Sequence, residues 1–86
     1  MLYVGIDISS KKHDCCIIGK YSEILEPFFT VKNDADGFNS LLKKISCYSH
    51  DFEQVKIGLE STGHYSNNII SFLQSKGFQV IVFNPL

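Results

Sequence analysis

The sequence has 86 residues, 44% of them hydrophobic and 20% charged, which fits one small globular domain and leaves no room for a second. The formal net charge is −1, and all eight strongly basic side chains are lysines. This balance excludes the basic, high-pI surface of a self-sufficient nucleic-acid binder.

The amino terminus and the cysteines indicate a cytoplasmic protein without membrane contact. The sequence begins MLYVGID, with no basic stretch leading into an apolar run. No window approaches about 18 consecutive apolar residues. Cys15, Cys16 and Cys47 are an odd number without CxxC spacing, and the neighbours Cys15 and Cys16 point to opposite faces of a strand. We predict three reduced core thiols.

Three strands are predicted at the start of the chain. Residues 2–8 form a nearly continuous apolar run, the pattern of a central strand buried on both faces. Residues 13–18 form the second strand and residues 24–31 the third. Pro27 removes a backbone donor from the third strand, which indicates an edge position. Short connections make these strands an antiparallel meander.

Two predicted helices alternate with two further strands. Asn33 is the predicted N-cap of the first helix. Its apolar stripe consists of Phe38, Leu41, Leu42 and Ile45. Residues 54–59 form the fourth strand, and a second helix, ended by Gly77, leads to a fifth strand at residues 78–83. The stripe of the second helix consists of Tyr65, Ile69, Phe72 and Leu73.

The order of these elements predicts the sheet. Helical crossovers make strands four and five parallel to strand one, and right-handed crossovers favour the strand order 3-2-1-4-5. This is an α/β arrangement of the ribonuclease-H-like type, with a mixed five-stranded sheet and two helices. Because the sequence stops directly after the fifth strand, we expect residues 1–86 to be the amino-terminal portion of a larger domain.

Two acids stand at the ends of the two central strands. Asp7 lies between Ile6 and Ile8 at the end of the most apolar strand, where an unpaired carboxylate would lose solvation, and Glu60 follows the fourth strand. Carboxyl ends of adjacent parallel strands meet at one edge of a sheet, the usual place for a ligand in an open α/β sheet. For Asp7 alone, a turn or cap role remains the alternative.

Glycines accompany both acids. Gly5 precedes Asp7 by two residues and Gly58 precedes Glu60 by two, so each glycine shares the face of its acid. Without His or Cys on these two strands, an oxygen-only ligand set favours Mg²⁺ or Mn²⁺ over zinc. Phosphodiester transfer uses two such ions about 3.5 to 4 Å apart. Two carboxylates are too few to hold both ions, so further acids are expected from elsewhere.

The segments around these acids resemble a known family. The matching segments are YVGIDIS at residues 3–9, KKHD at 11–14, GLESTGHY at 58–65 and VIVFNPL at 80–86. They look like the amino-terminal domain of bacterial DEDD-type insertion-sequence transposases, whose catalytic domain is RuvC-like. The Glu-Ser-Thr-Gly segment is the specific part, because Gly-Ile-Asp is shared by many ribonuclease-H-like proteins.

The resemblance implies a function. It makes Asp7 and Glu60 the first two catalytic, metal-binding acids of a DNA transposase. The remaining two acids lie in that family on a helix after the Asn-Pro-Leu segment, and a carboxy-terminal domain supplies a serine nucleophile. We therefore expect this piece to be inactive by itself. Insertion-sequence ends and target DNA are the implied partners, and a structured guide RNA serves some relatives.

Five further residues are candidate nucleic-acid contacts: Lys11, Lys12, Ser61, Thr62 and His64. Lys11 and Lys12 follow Asp7 closely enough to reach a phosphate, although a solvated turn explains them equally well. Ser61 and Thr62 lead into a helix, where N-cap roles are common. His64 fits a partly exposed position at the start of that helix.

Two alternatives stay open. Sugar-kinase and actin-like ATPases also begin with a strand ending in Gly-Ile-Asp, but Ile8 and Ser9 stand where their phosphate loop needs glycine. A non-catalytic ribonuclease-H-like binding or assembly module would keep the fold without the chemistry. Whichever function applies, two helices cannot cover both faces of a five-stranded sheet. The apolar sheet surface that stays exposed predicts self-association or strand-edge pairing.

Overall fold

The computed structural model describes residues 1–60 and 65–83, and within these ranges the elements follow the predicted order. The elements are β1 (Leu2–Asp7), β2 (Lys12–Ile18), β3 (Ile24–Lys32), α1 (Ala35–Ser46), a 3-10 turn (Phe52–Gln54), β4 (Val55–Glu60), α2 (Asn67–Ser75) and β5 (Gln79–Phe83). Strand boundaries differ from the predicted ones by one residue.

The sheet has the strand order β3-β2-β1-β4-β5. β1 pairs antiparallel with β2, and β2 pairs antiparallel with β3. β4 runs parallel to β1, and β5 runs parallel to β4. The predicted topology is confirmed, and so is the edge position of β3, where Pro27 lies. β1 and β4 are therefore the neighbouring central strands.

Both helices pack on one face of the sheet. Alternate residues of β1, Val4 and Ile6 among them, share one core with Leu41 of α1 and Leu73 of α2. The two helices also contact each other through Phe38 and Phe72, whose ring centroids are 5.5 Å apart. The prediction that β1 is buried on both faces is wrong, because both crossovers return over the same face. We call the other face, which bears Tyr3, Gly5 and Asp7 of β1, the open face.

The first helix begins one residue later than predicted. Asp34, not Asn33, is the N-cap of α1, and its carboxylate accepts a hydrogen bond from the backbone N–H of Gly37 at 2.7 Å. Asn33 directly follows β3, and its backbone N–H donates to the carbonyl of Lys11, in the turn before β2, at 2.9 Å. This bond holds the backbone of Asn33 beside that turn, and the helix cap is the next residue.

The second helix is shorter than its predicted stripe. α2 begins at Asn67, so Tyr65 lies in the turn before it and is 51% exposed, not part of the core. Ile69 and Leu73 alone are fully buried from this helix. The prediction for its end is confirmed, because Gly77 follows the helix with a φ of 93°, a left-handed conformation that favours glycine.

The three cysteines are free thiols in different settings. Cys15 is buried and Cys16 half-buried, as expected for neighbours on opposite faces of a strand. Cys47 is exposed, so its prediction as a core thiol is wrong; it caps the end of α1, beyond the last buried turn. Within the described part of the chain, no helix is long and apolar enough to cross a membrane.

Candidate functional site

Asp7 and Glu60 lie opposite each other at the ends of β1 and β4. They form the last pair of the parallel register, in which Gly5 faces Gly58 and Ile6 faces Leu59. Paired residues of neighbouring strands are about 4.8 Å apart and point to the same face. The register therefore brings the two predicted acids together on the open face, at the carboxyl edge of the central strands.

Both acids are exposed to solvent, which differs from the buried setting assumed for Asp7 from its apolar neighbours. Asp7 is the last residue of β1, and its side chain points away from the helices that bury Ile6. Burial alone therefore does not require a cation there. Among residues 1–60 and 65–83, no lysine forms an ion pair with Asp7 or Glu60, so both carboxylates keep their oxygens for other partners.

A third acid, Asp14, flanks Asp7 from the opposite side. It is the antiparallel register partner of Asp7 on β2 and is likewise exposed. The hydroxyl of Thr30 on β3 donates a hydrogen bond to Asp14 Oδ1 at 2.9 Å. Asp14 is not among the site residues predicted from the sequence. Its position between the buried residues His13 and Cys15 was the available signal, because alternation places it on the face opposite to theirs.

The three acids line one concavity of about 480 Å³ on the open face. Gly5 and Gly58 form its floor, which confirms that each glycine shares the face of its acid. A Cβ atom at position 58 would lie 3.3 Å from Cε2 of Phe83, so the glycine lets this ring lie close to β4. Phe83 of β5 and Phe28 of β3 also line the concavity.

The donor atoms fit a hard divalent cation, but only as part of a site. Carboxylate oxygens are the ligands preferred by Mg²⁺ and Mn²⁺. The nearest soft donor, Cys16, is the register partner of Gly5 and so lies one same-face position, about 6.6 Å, back from the acids. Across residues 1–60 and 65–83, no three His, Cys, Asp or Glu side chains are grouped closely enough to hold an ion.

The candidate nucleic-acid contacts fall into two groups. Lys11 lies in the turn after β1 and Lys12 is the first residue of β2; both are exposed. Lys12 is two residues from Asp14 and therefore shares its face. Ser61, Thr62 and His64 lie outside the described residues, so their roles stay predictions.

Comparison with known families gives a match over almost the whole chain. Residues 4–86 match the DEDD family of IS110-type proteins, which is described as transposase. The chain belongs to this transposase family. The matched range contains Asp7, Asp14 and Glu60, so the three acids of the concavity are part of the family domain. Comparison with curated proteins gave no match.

Solved structures similar to this transposase-family chain confirm its ribonuclease-H-like, RuvC-like fold. The fowlpox virus Holliday junction resolvase has a TM-score of 0.64 at 20% identity, covering 99% of this chain and 62% of the resolvase. RuvC of Thermus thermophilus, solved with a Holliday junction substrate, has a TM-score of 0.62 at 12% identity, covering 99% and 65%. The chain thus spans less than two thirds of either protein.

Archaeoglobus fulgidus Pelota also matches, with a TM-score of 0.57 at 13% identity, over 99% of this chain and 27% of Pelota. Identities this low show a shared fold alone, and one fold serves many functions. The fold alone therefore does not define the chemistry of the concavity.

Proposed function

We propose that this chain supplies the first two metal-binding carboxylates, Asp7 and Glu60, of a DNA transposase that cleaves phosphodiesters and transfers strands with divalent metal ions. The register pairing of these two acids at the carboxyl edge of the central strands carries the proposal. Membership of the transposase family supports it. The carboxylates that complete the site come from other parts of the protein, so this chain is inactive by itself.

Asp7 and Glu60 hold Mg²⁺ or Mn²⁺ in this proposal. When bound, such ions activate the attacking oxygen and stabilise the leaving oxygen of a phosphodiester. The chain's own contribution is positional. Two neighbouring ladders fix the backbone at Asp7, one to β2 and one to β4, and Glu60 ends a strand that is paired on both sides. A site on rigid strands keeps its ligands in a fixed arrangement.

DNA is the proposed partner, and two groups of residues contact it in this proposal. Lys11 and Lys12 stand next to the acids and can meet phosphates, while Ser61, Thr62 and His64 follow Glu60 directly in the sequence. RuvC and the fowlpox resolvase were both solved with Holliday junction DNA, which supports a DNA partner by analogy. A structured guide RNA and a cytoplasmic location belong to the same proposal through the family resemblance.

A non-catalytic assembly module is the second candidate. It is favoured by one observation, that residues 1–60 and 65–83 contain no group of three potential metal ligands. The net charge of −1 agrees with it, because a DNA-binding surface is usually basic. The two candidates differ in whether the concavity binds a divalent cation.

A titration with Mn²⁺ followed by amide NMR separates the candidates. Paramagnetic broadening centred on Asp7 and Glu60, and lost in Asp7→Asn and in Glu60→Gln, supports the metal site. Asp36→Asn is the matched control, since this acid lies in the first turn of α1. Broadening that is equal at all acids, or unchanged by Asp7→Asn, contradicts the proposal. Shifts on addition of ATP would support the ATPase alternative.

A further inference from the structure

The turn between β1 and β2 directly follows Asp7 and carries Lys11, and His13 holds its second residue, Ser9. The backbone N–H of Ser9 donates a hydrogen bond to Nδ1 of His13 at 3.2 Å. His13 itself is fully buried, with an exposed fraction of 0%. A buried ring cannot move away from the turn without disturbing the core, so this contact fixes the chain just after the acid.

Asn33, at the end of β3, holds the next two residues of the same turn. Its side-chain Nδ2 donates to the carbonyl of Ser10 at 3.1 Å, and its backbone N–H donates to the carbonyl of Lys11 at 2.9 Å. The hydroxyl of Ser9 donates to the carbonyl of Lys12. Every residue from Ser9 to Lys12 is thus tied by at least one hydrogen bond.

The hydrogen bond from Ser9 determines the tautomer of the neutral His13 ring. Nδ1 accepts a hydrogen bond from the Ser9 N–H and so carries no proton, which places the ring proton of the neutral form on Nε2. Nε2 is then a donor. Within the described residues, neither His13 Nε2 nor Asn33 Oδ1, an acceptor, has a hydrogen-bond partner, and both atoms are buried.

The two residues occupy nearby positions on the same face of the sheet. Val31 is the register partner of His13, and Asn33 is two residues after Val31, directly beyond the end of β3, so Asn33 occupies the position diagonal to His13. Leaving a buried donor and a buried acceptor unpaired is unfavourable, so an adjustment of the two side chains that joins these atoms is favoured. Such a bond would connect the two residues that hold the turn.

We propose that His13 and Asn33 are positioning residues, which together clamp the turn so that Lys11 and Lys12 are held in one arrangement beside Asp7. The value of this arrangement for metal or phosphate binding rests on the proposed function. A clamped turn presents its lysines without the loss of conformational entropy that a mobile loop suffers on binding.

Three His13 variants, made in the whole chain, test the clamp. His13→Leu fills the core but removes both ring nitrogens, His13→Asn offers an oxygen near the place of Nδ1, and His13→Gln offers a polar group near the place of Nε2. We expect the Ser9 amide to exchange about five- to tenfold faster in His13→Leu, the size expected for one lost hydrogen bond. His13→Asn restores the protection, whereas His13→Gln does not.

The global unfolding free energy of each variant is measured in parallel, because a purely structural role would change stability without this pattern of rescue. Long-range ¹H–¹⁵N correlations of the wild-type ring give a second readout and should show the Nε2–H form. Asn33→Ala leaves the buried His13 ring in place and should increase backbone mobility at Ser10 and Lys11. Unchanged Ser9 exchange in His13→Leu, equal exchange in the Asn and Leu variants, or a ring protonated on Nδ1 would each overturn the clamp.

A Mn²⁺ titration of the same proteins separates the clamp from the proposed function. Weaker Mn²⁺ binding in His13→Leu, restored in His13→Asn, supports the positioning role. Normal Mn²⁺ binding in His13→Leu despite faster Ser9 exchange contradicts that role. A wild-type chain with a protected Ser9 amide and no Mn²⁺ effect would contradict the proposed function while supporting the clamp itself.

Discussion

Asp14 lies directly opposite Asp7 in the antiparallel ladder of β1 and β2, so the first candidate ligand has an acid on each side, Asp14 on β2 and Glu60 on β4. Three carboxylates on adjacent strands repel one another when no cation is near. Thr30 holds Asp14 by a hydrogen bond on the side away from Asp7, because β3 is the outer neighbour of β2. In this arrangement the Asp14 carboxylate can attract a cation bound at Asp7 without coordinating it.

Asp14→Asn should weaken Mn²⁺ binding by roughly fivefold, about 1 kcal/mol, the order of the attraction lost between exposed charges several ångströms apart. The loss should be smaller than in Asp7→Asn, which removes a direct ligand. Thr30→Val is the matched control, because it frees Asp14 without removing its charge. Calorimetric titration of the four proteins provides the measurement. Equal losses in the two Asp variants would show that Asp14 binds the ion directly.

Gly37→Ala should destabilise the chain by at least about 2 kcal/mol, the cost of a severe overpacking. A Cβ atom at position 37 would lie 1.9 Å from the carbonyl oxygen of Lys32, which is backbone and cannot easily move. Helix propensity alone predicts the opposite sign, since Ala is favoured over Gly by about 1 kcal/mol inside a helix. Urea unfolding measures the effect.

Gly58→Ala is the matched comparison for this change. Its Cβ atom would meet only the ring of Phe83, at 3.3 Å, and this exposed side chain can shift by a few tenths of an ångström. We expect a cost below about 1 kcal/mol. A Gly37→Ala chain as stable as the wild type would show that the start of α1 can move away from β3.

The strand order of the sheet could be predicted from the sequence, because it depends on the connections between consecutive elements. Short connections predicted the antiparallel meander, helical crossovers predicted the parallel pairs, and Pro27 indicated the edge strand. The structure confirms all three. The side on which each helix packs depends on contacts between distant residues. The apolar run through Tyr3 and Val4 therefore indicated burial on both faces, although Tyr3 is 43% exposed on the open face.

The positions of two of the three acids that line the concavity could also be predicted from the sequence. Glycine spacing and strand ends located Asp7 and Glu60, since both signals are local in sequence. Alternation within β2 indicates the face on which Asp14 lies, but its place opposite Asp7 needed the register of β1 against β2, which follows from the turn between them. Local sequence patterns also could not predict the role of Asn33, because its backbone hydrogen bond to the distant residue Lys11 competes with helix capping.

Cys15 should make the stability of the chain fall at alkaline pH. Burial, then the nearby negative charges of Asp14 and Cys16, raise the pKa of the Cys15 thiol from 9.0 to about 12. The unfolded chain therefore loses this proton at lower pH than the folded chain does. The stabilising contribution is complete below about pH 9 and is lost as the pH rises towards 12.

Urea unfolding at a series of pH values measures this dependence. In Cys15→Ala the fall between pH 9 and 12 should be shallower, although the small cavity lowers stability at every pH. Cys47→Ala should keep the wild-type dependence, because this thiol is exposed. Parallel curves for the wild type and Cys15→Ala would contradict the predicted role of the buried thiol.

Self-association through the open face is the remaining prediction. Phe28 is 87% exposed and Phe83 55% exposed, and both line the concavity from the outer strands, β3 and β5. Aromatic side chains on one sheet face, with no described element covering them, favour burial against a second copy of the chain. Pairing along the outer edge of β3 is less favoured, because Pro27 lacks a backbone donor there.

Sedimentation velocity at increasing concentration tests this prediction. The wild type should associate, and Phe28→Ser should move the equilibrium towards the monomer, with a roughly tenfold weaker association if the ring loses about 1.5 kcal/mol of burial. Tyr21→Ser is the control, because Tyr21 is 80% exposed but lies in the turn between β2 and β3. A wild type that stays monomeric at high concentration, or a Tyr21 variant that dissociates as readily as the Phe28 variant, would exclude the open face as the contact surface.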